Sequence, residues 1–131
     1  MSIEIVVDAN IIISALIGGS SRDILFDHRY DFLTTKFTVK EVEKYIPEIA
    51  DKSGTEENFV IDTFELIPLT IKNKNFYNNS ISEAEEMISE IDEDDVDILA
   101  LAIYTNNYLW SQDKDFEKAG YNKLLKTKDF F

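Results

Sequence analysis

Ile5, Val6 and Val7 form an unbroken apolar run that stops at Asp8. Such a run suits a strand buried on both faces, as in a parallel sheet, better than a strand with one wet face. Beyond Asp8, Ala9 and Asn10, a second mostly apolar stretch runs from Ile11 to Leu16. Desolvating an acid between two buried elements is costly unless its charge is offset. A helix N-terminus, a hydrogen bond and a metal ion are the three ways to offset it, and the rest of the chain has to decide among them.

Further along, strands and helices alternate. A strand is expected over residues 3–7 and a helix from Asn10 to Ile17. "GGSSRD" breaks that helix, and Ser20 or Ser21 can cap a short second helix running through Asp27. "YDFLTT" reads as a strand. Val39, Val42, Ile46 and Ile49 then recur at helical spacing, with Thr38 as the expected cap and Pro47 as a point of kinking or division. "TEENFVIDTFEL" is a further helix, "ELIPLT" a short strand and "KNKNFYNNS" a polar loop. "SEAEEMISEI" and "DEDDVDILALAIYTNN" are expected as helices, "NYLWSQD" as a strand entering a turn, and residues 123–127 as a last strand. This order predicts one α/β domain over residues 1–131: three α/β/α layers around a mainly parallel sheet of about five strands. In such sheets, sites form beyond the carboxyl ends of strands where strand order reverses. Asp8 and Asp113 both follow strands.

The 131 residues are enough for one domain with a substantial core, and 44% of them are hydrophobic. With no cysteine, disulfides and thiolate metal sites are excluded. The single histidine, His28, makes zinc a poor fit and reads as a surface or packing residue. No apolar run approaches membrane-spanning length, and no signal-type segment opens the chain, so a soluble cytoplasmic protein without membrane contact is expected. The net charge of −13 argues against nonspecific nucleic-acid binding. It fits a solubility role, acids gathered at a metal site, or both.

Four places hold acids able to do chemistry. Asp8 ends the first strand, where helix capping is the plain reading. Glu41 lies in the first turn of its helix, where the dipole favours it and Glu43 competes with it for any role. Asp92 to Asp97 contains five acids in six positions. Capping by Asp92 and first-turn dipole effects explain two of these, and neighbouring carboxylates repel unless a cation is present. Asp95 precedes Leu99 and Ala102 by four and seven residues and so shares their buried helix face, whereas Asp97 points elsewhere. Asp113 and Asp115 flank Lys114 after the strand "YLWSQ", where a turn role is the plain reading. Oxygen-rich carboxylate clusters suit Mg²⁺ or Mn²⁺.

Taken together, "VVDANIIISAL", "VKEVEKYI", "DEDDVDILALAI" and "LWSQDKDF" resemble a PIN domain. The resemblance runs from residue 5 to about 128 and is nearest to small stand-alone prokaryotic members, including toxin-type ribonucleases. It implies that Asp8, Glu41, Asp95 and Asp113 are the catalytic acids, with Asp8, Asp95 and Asp113 as ligands of Mg²⁺ or Mn²⁺. It makes Asn10, Asp92, Ser111 and Asp115 supporting residues. The implied activity is hydrolysis of RNA by a metal-activated water, in a toxin of a toxin–antitoxin pair or an RNA-processing nuclease. The implied partners are single-stranded or structured RNA, an antitoxin-like protein inhibitor, and a second copy in a homodimer, for which Tyr45, Phe76 and Tyr77 are candidate exposed aromatics. A local basic rim for RNA would draw on Arg22, Lys40, Lys44 and Lys114, although ordinary surface pairing accounts for them equally well. The competing reading is a non-catalytic acidic α/β module that binds a basic protein. A receiver-type phosphoacceptor sheet ranks low, because Asp113 and Lys114 stand in the wrong arrangement.

Overall fold

The computed structural model describes residues 2–131. Its elements in chain order are β1 (Ile3–Val7), α1 (Ala9–Ile17), α2 (Ser21–Leu25), β2 (Tyr30–Thr35), α3 (Lys36–Lys44), α4 (Ile46–Ser53) and α5 (Glu57–Leu66). There follow β3 (Leu69–Lys72), α6 (Lys74–Tyr77), α7 (Ile81–Ile88), α8 (Val96–Thr105), β4 (Tyr108–Trp110), α9 (Asp115–Lys118) and β5 (Leu124–Leu125). Among the described residues the five strands form one parallel sheet in the order β3-β2-β1-β4-β5. The chain starts at the sheet centre, builds outward through β2 and β3, then crosses back to lay β4 on the other side of β1. Strand order therefore reverses between β1 and β4, which opens a crevice at their carboxyl ends.

Period-two alternation along the strands divides the core between the two faces. Ile5, Val7, Phe32 and Trp110 pack with residues of α1, α2, α4 and α5 on one face. Val6, Leu33 and Leu109 pack with Tyr77, α7, α8 and Phe116 on the other. This gives the three-layer α/β/α architecture expected from the alternation, and β1 is buried from both sides because it is central.

Local chemistry sets the element ends. Gly18 closes α1 at φ 116°, a left-handed position that suits a residue without Cβ. Pro47 lies in the first turn of α4, where its missing N–H costs no helical hydrogen bond, and the helical stretch divides at Tyr45 as Pro47 led us to expect. Asn106, at φ 54°, ends α8 in the same left-handed region.

Some sequence expectations are corrected. Thr35, not Thr38, caps α3: the Thr38 N–H donates to Thr35 Oγ1 over 2.9 Å. Glu65 and Leu66 belong to α5, so the following strand begins only after Pro68, at Leu69. The expected loop over 72–80 instead folds into α6 and a 3-10 turn at Asn78–Ser80. Its anchor is Tyr77, which is buried rather than exposed, with its hydroxyl donating to Asp97 Oδ2 over 2.6 Å. The acidic run is not the start of one long helix: Glu93–Asp95 form a 3-10 turn, and α8 begins at Val96. Among the described residues, no helix is long and apolar enough to cross a membrane.

Candidate metal centre

Asp8 stands where β1 ends and α1 begins. Its Oδ1 accepts from the Ala9 N–H over 2.8 Å, which is the capping role. Its Oδ2 accepts from the Ser111 hydroxyl over 2.7 Å. Ser111 follows β4 directly, so this bond ties together the ends of the two strands that flank the crevice. Ser111 Oγ also accepts from the Asp113 N–H over 3.0 Å and from Asn10 Nδ2 over 3.4 Å. Asn10 Oδ1 in turn accepts from the Gln112 N–H over 3.4 Å. Asp113 Oδ1 takes the Asp115 N–H over 2.9 Å, which fixes the turn into α9.

The third carboxylate comes from the acidic run before α8. Asp95 ends the 3-10 turn just before α8 and is 8% exposed. The burial of Val96, Ile98 and Leu99 on the sheet draws Asp95 inward with them. One oxygen each of Asp8, Asp95 and Asp113 lies within 4.8 Å of the others, and the same holds for Asp92, Asp95 and Asp115. Asp95 Oδ2 is fully buried and has no hydrogen-bond partner among the described residues. A buried, unpartnered carboxylate oxygen is costly.

The electrostatics follow from this geometry. Burial raises the Asp8 carboxyl from 3.8 to about 6; the Ser111 and Ala9 hydrogen bonds oppose the rise, and Asp113 and Asp92 add to it. Burial also raises Asp95, to about 8, reinforced by Asp8, Asp92, Asp113 and Asp115. Both shifts express crowded, poorly solvated negative charge, which a cation would relieve. An all-carboxylate donor set and an orphaned Asp95 oxygen fit a hard divalent cation such as Mg²⁺ or Mn²⁺.

Other candidate residues fall around this core. Asp8, Asn10, Glu41, Asp92, Asp94, Asp95 and Asp113 all line a cavity of about 270 Å³. Glu41 is outside both carboxylate groups of three, and its Oε1 receives the Lys44 ammonium at 3.0 Å. Glu43 lines a different, mostly apolar cavity against α5 and β3, which leaves Glu41 as the acid of this helix that faces the cluster. Asp92 caps the 3-10 turn through the Asp94 N–H at 3.0 Å. Arg22 is committed elsewhere: its guanidinium donates to the Ala15 and Leu16 carbonyls. That is the far end of α1 from Asp8, about 13 Å along a nine-residue helix. Lys40 and Lys114 are exposed and make no ion pair among the described residues. Tyr45, expected at an interface, contributes to the wall of the acidic cavity. Sequence reasoning missed Asp94 in that wall; its place inside the acidic run was the available signal.

The molecule is thus a three-layer α/β protein with a carboxylate cluster at the point where strand order reverses. The family model described as PIN domain matches residues 6–129, and the chain belongs to the PIN domain family. No curated protein sequence matches it. Among solved structures it is similar to a chain of VapBC2 from Rickettsia felis, whose crystal structure was determined bound to a DNA fragment from their promoter. The TM-score is 0.67 at 18% identity, covering 95% of this chain and 98% of that one.

Proposed function

We propose that this chain is a single-domain, divalent-metal-dependent ribonuclease. Asp8, Asp95 and Asp113 hold Mg²⁺ or Mn²⁺, with Glu41 beside them and Asn10, Asp92, Ser111 and Asp115 holding the arrangement. The observation that carries this reading is the buried Asp95 Oδ2, which sits within a cluster of carboxylates and has no hydrogen-bond partner among the described residues. A merely solvated acidic face would leave its oxygens in water; here one is withdrawn from water and offered nothing in return. When bound, the ion supplies activation of water and neutralisation of charge on the phosphate. The chain's own residues orient the ligands. Ser111 holds Asp8 and the backbone of Asp113, and Asn10 steadies Ser111. No side-chain nucleophile is needed, which matches a chain with no cysteine and one histidine.

Family membership and the similarity in fold to VapBC2 support a toxin of a toxin–antitoxin pair, restrained by an antitoxin-like protein, ahead of an RNA-processing nuclease. The proposed setting is the cytoplasm and the proposed assembly a homodimer. Of Arg22, Lys40, Lys44 and Lys114, the two left for an RNA contact are Lys40 and Lys114, since Arg22 is engaged on α1 and Lys44 on Glu41.

The test is a calorimetric titration of Mn²⁺ into the wild type and the Asp8→Asn/Asp95→Asn variant, with single-stranded RNA cleavage followed on the same samples. Binding and cleavage lost together in the variant support the assignment. Equal binding by both proteins overturns it in favour of an acidic module that binds a basic protein.

A further inference from the structure

The last residues of the chain return to the loop that carries Ser111 and Asp113. β5 pairs with β4, and the Ser111 N–H donates to the Leu125 carbonyl over 3.1 Å. Beyond β5, the Thr127 N–H donates to Gln112 Oε1 over 2.9 Å. Thr127 Oγ1 accepts from Trp110 Nε1 over 3.1 Å. The Phe130 ring lies 4.5 Å from that of Trp110 and 5.5 Å from that of Tyr30, so the terminal turn is seated on the core.

Gln112 stands between the two residues whose positions matter most in this loop. Its backbone N–H reaches Asn10 Oδ1 only at 3.4 Å, near the limit of a hydrogen bond, while its side chain meets Thr127 at an ordinary 2.9 Å. The tighter of its two anchors is therefore the C-terminal one. We infer that the C-terminal segment positions the metal centre: Thr127, acting through Gln112, holds the Ser111–Asp113 loop so that the Asp113 carboxylate faces Asp8 and Asp95. Gln112 and Thr127 are positioning residues, since neither belongs to the carboxylate groups. The inference rests on the reading of those carboxylates as a metal centre, and it extends the site to a part of the chain outside the acidic motifs.

Two substitutions remove the link from either side. Gln112→Ala removes the acceptor. Thr127→Pro removes the N–H at the first position of a 3-10 turn, after a Lys126 already extended at φ −101° and ψ 161°, so proline fits there, and it also removes the Oγ1 acceptor of Trp110 Nε1. The experiment measures amide hydrogen exchange at Asp113 and Asp115 in metal-free protein, and Mn²⁺ affinity by calorimetry, in both single variants and the double variant. Fluorescence of Trp110, the chain's one tryptophan, reports in Gln112→Ala, where its Thr127 partner is kept, whether the tail stays seated. Expected are faster exchange at both amides in each single variant, Mn²⁺ binding weakened about three- to tenfold in Gln112→Ala, the loss of one hydrogen bond, and at least as much in Thr127→Pro, which also loses the Trp110 contact. The double variant should be no weaker than the worse single one, because both changes break one link. Unchanged exchange in Gln112→Ala with Trp110 emission as in the wild type overturns the inference, as do additive losses in the double variant. If the wild type binds no Mn²⁺, the ribonuclease reading falls, while the exchange data still decide whether the tail holds the loop. If Thr127→Pro unseats the tail, Gln112→Ala alone decides.

Discussion

The Ser111 hydroxyl donates to Asp8 Oδ2 across 2.7 Å, joining residues 103 positions apart at the ends of neighbouring strands. Ser111 Oγ also receives the Asp113 N–H, so one buried hydroxyl orders two of the three clustered carboxylates. Replacing Ser111 with Ala leaves Asp8 without its side-chain donor and the Asp113 amide without its acceptor. Urea unfolding should show a loss of about 1–3 kcal/mol. Mn²⁺ affinity should fall with it, and an unchanged affinity would separate Ser111 from the metal centre.

The pH dependence of stability in the metal-free protein follows from Asp8 and Asp95. Their folded-state values, about 6 and about 8, lie above the ordinary 3.8, so the folded state holds these protons more tightly than the unfolded chain. The stability they contribute is whole below about pH 4 and is lost as pH rises through about 6 and then 8. Melting in a chelator should therefore occur at lower temperature at pH 8 than at pH 5. Asp95→Asn should narrow that gap by raising the pH 8 value, which separates this effect from general repulsion within a chain of charge −13. Adding Mn²⁺ should raise the wild-type midpoint more at pH 8 than at pH 5. Equal wild-type midpoints at the two pH values in chelator would contradict the assignment.

Glu41 shares the cavity but stands outside both carboxylate groups of three. Glu41→Gln should reduce RNA cleavage by at least about a hundredfold, the lower range for loss of an acid–base group. Mn²⁺ binding should change much less than in Asp8→Asn. A loss of metal affinity as large as that of Asp8→Asn would instead make Glu41 a ligand.

Tyr77 ties α6 to α8 through Asp97, away from the carboxylate groups. Tyr77→Phe should cost about 1–2 kcal/mol in denaturant unfolding, as expected for a lost bond to a carboxylate. Mn²⁺ affinity should stay at the wild-type value. A change there would mean that α6 helps set the acidic turn before α8.

The chain's own pattern made the architecture legible. Ile5–Val7 read as a strand buried on both sides, and the alternation of elements implied a parallel sheet. Both are local signals, set by hydrophobic periodicity and by how parallel strands must be connected. Asp95 was legible as inward-facing because four- and seven-residue spacing to Leu99 and Ala102 survives the change from 3-10 turn to α-helix at Val96. The segment 72–80 was not legible. Its composition is mostly polar, and the helix there rests on long-range contacts with α8: the burial of Tyr77, its bond to Asp97 and the Phe76–Tyr104 ring contact.

The sequence alone therefore determined the element order, the buried central strand and the residue types of an oxygen-donor cluster, because these depend on near neighbours and on composition. Tertiary structure decided which acids meet, that Arg22 is spent on α1, and that Thr127 reaches Gln112. Those outcomes depend on the reversal of strand order between β1 and β4, which brings residues more than a hundred positions apart within one hydrogen bond of each other.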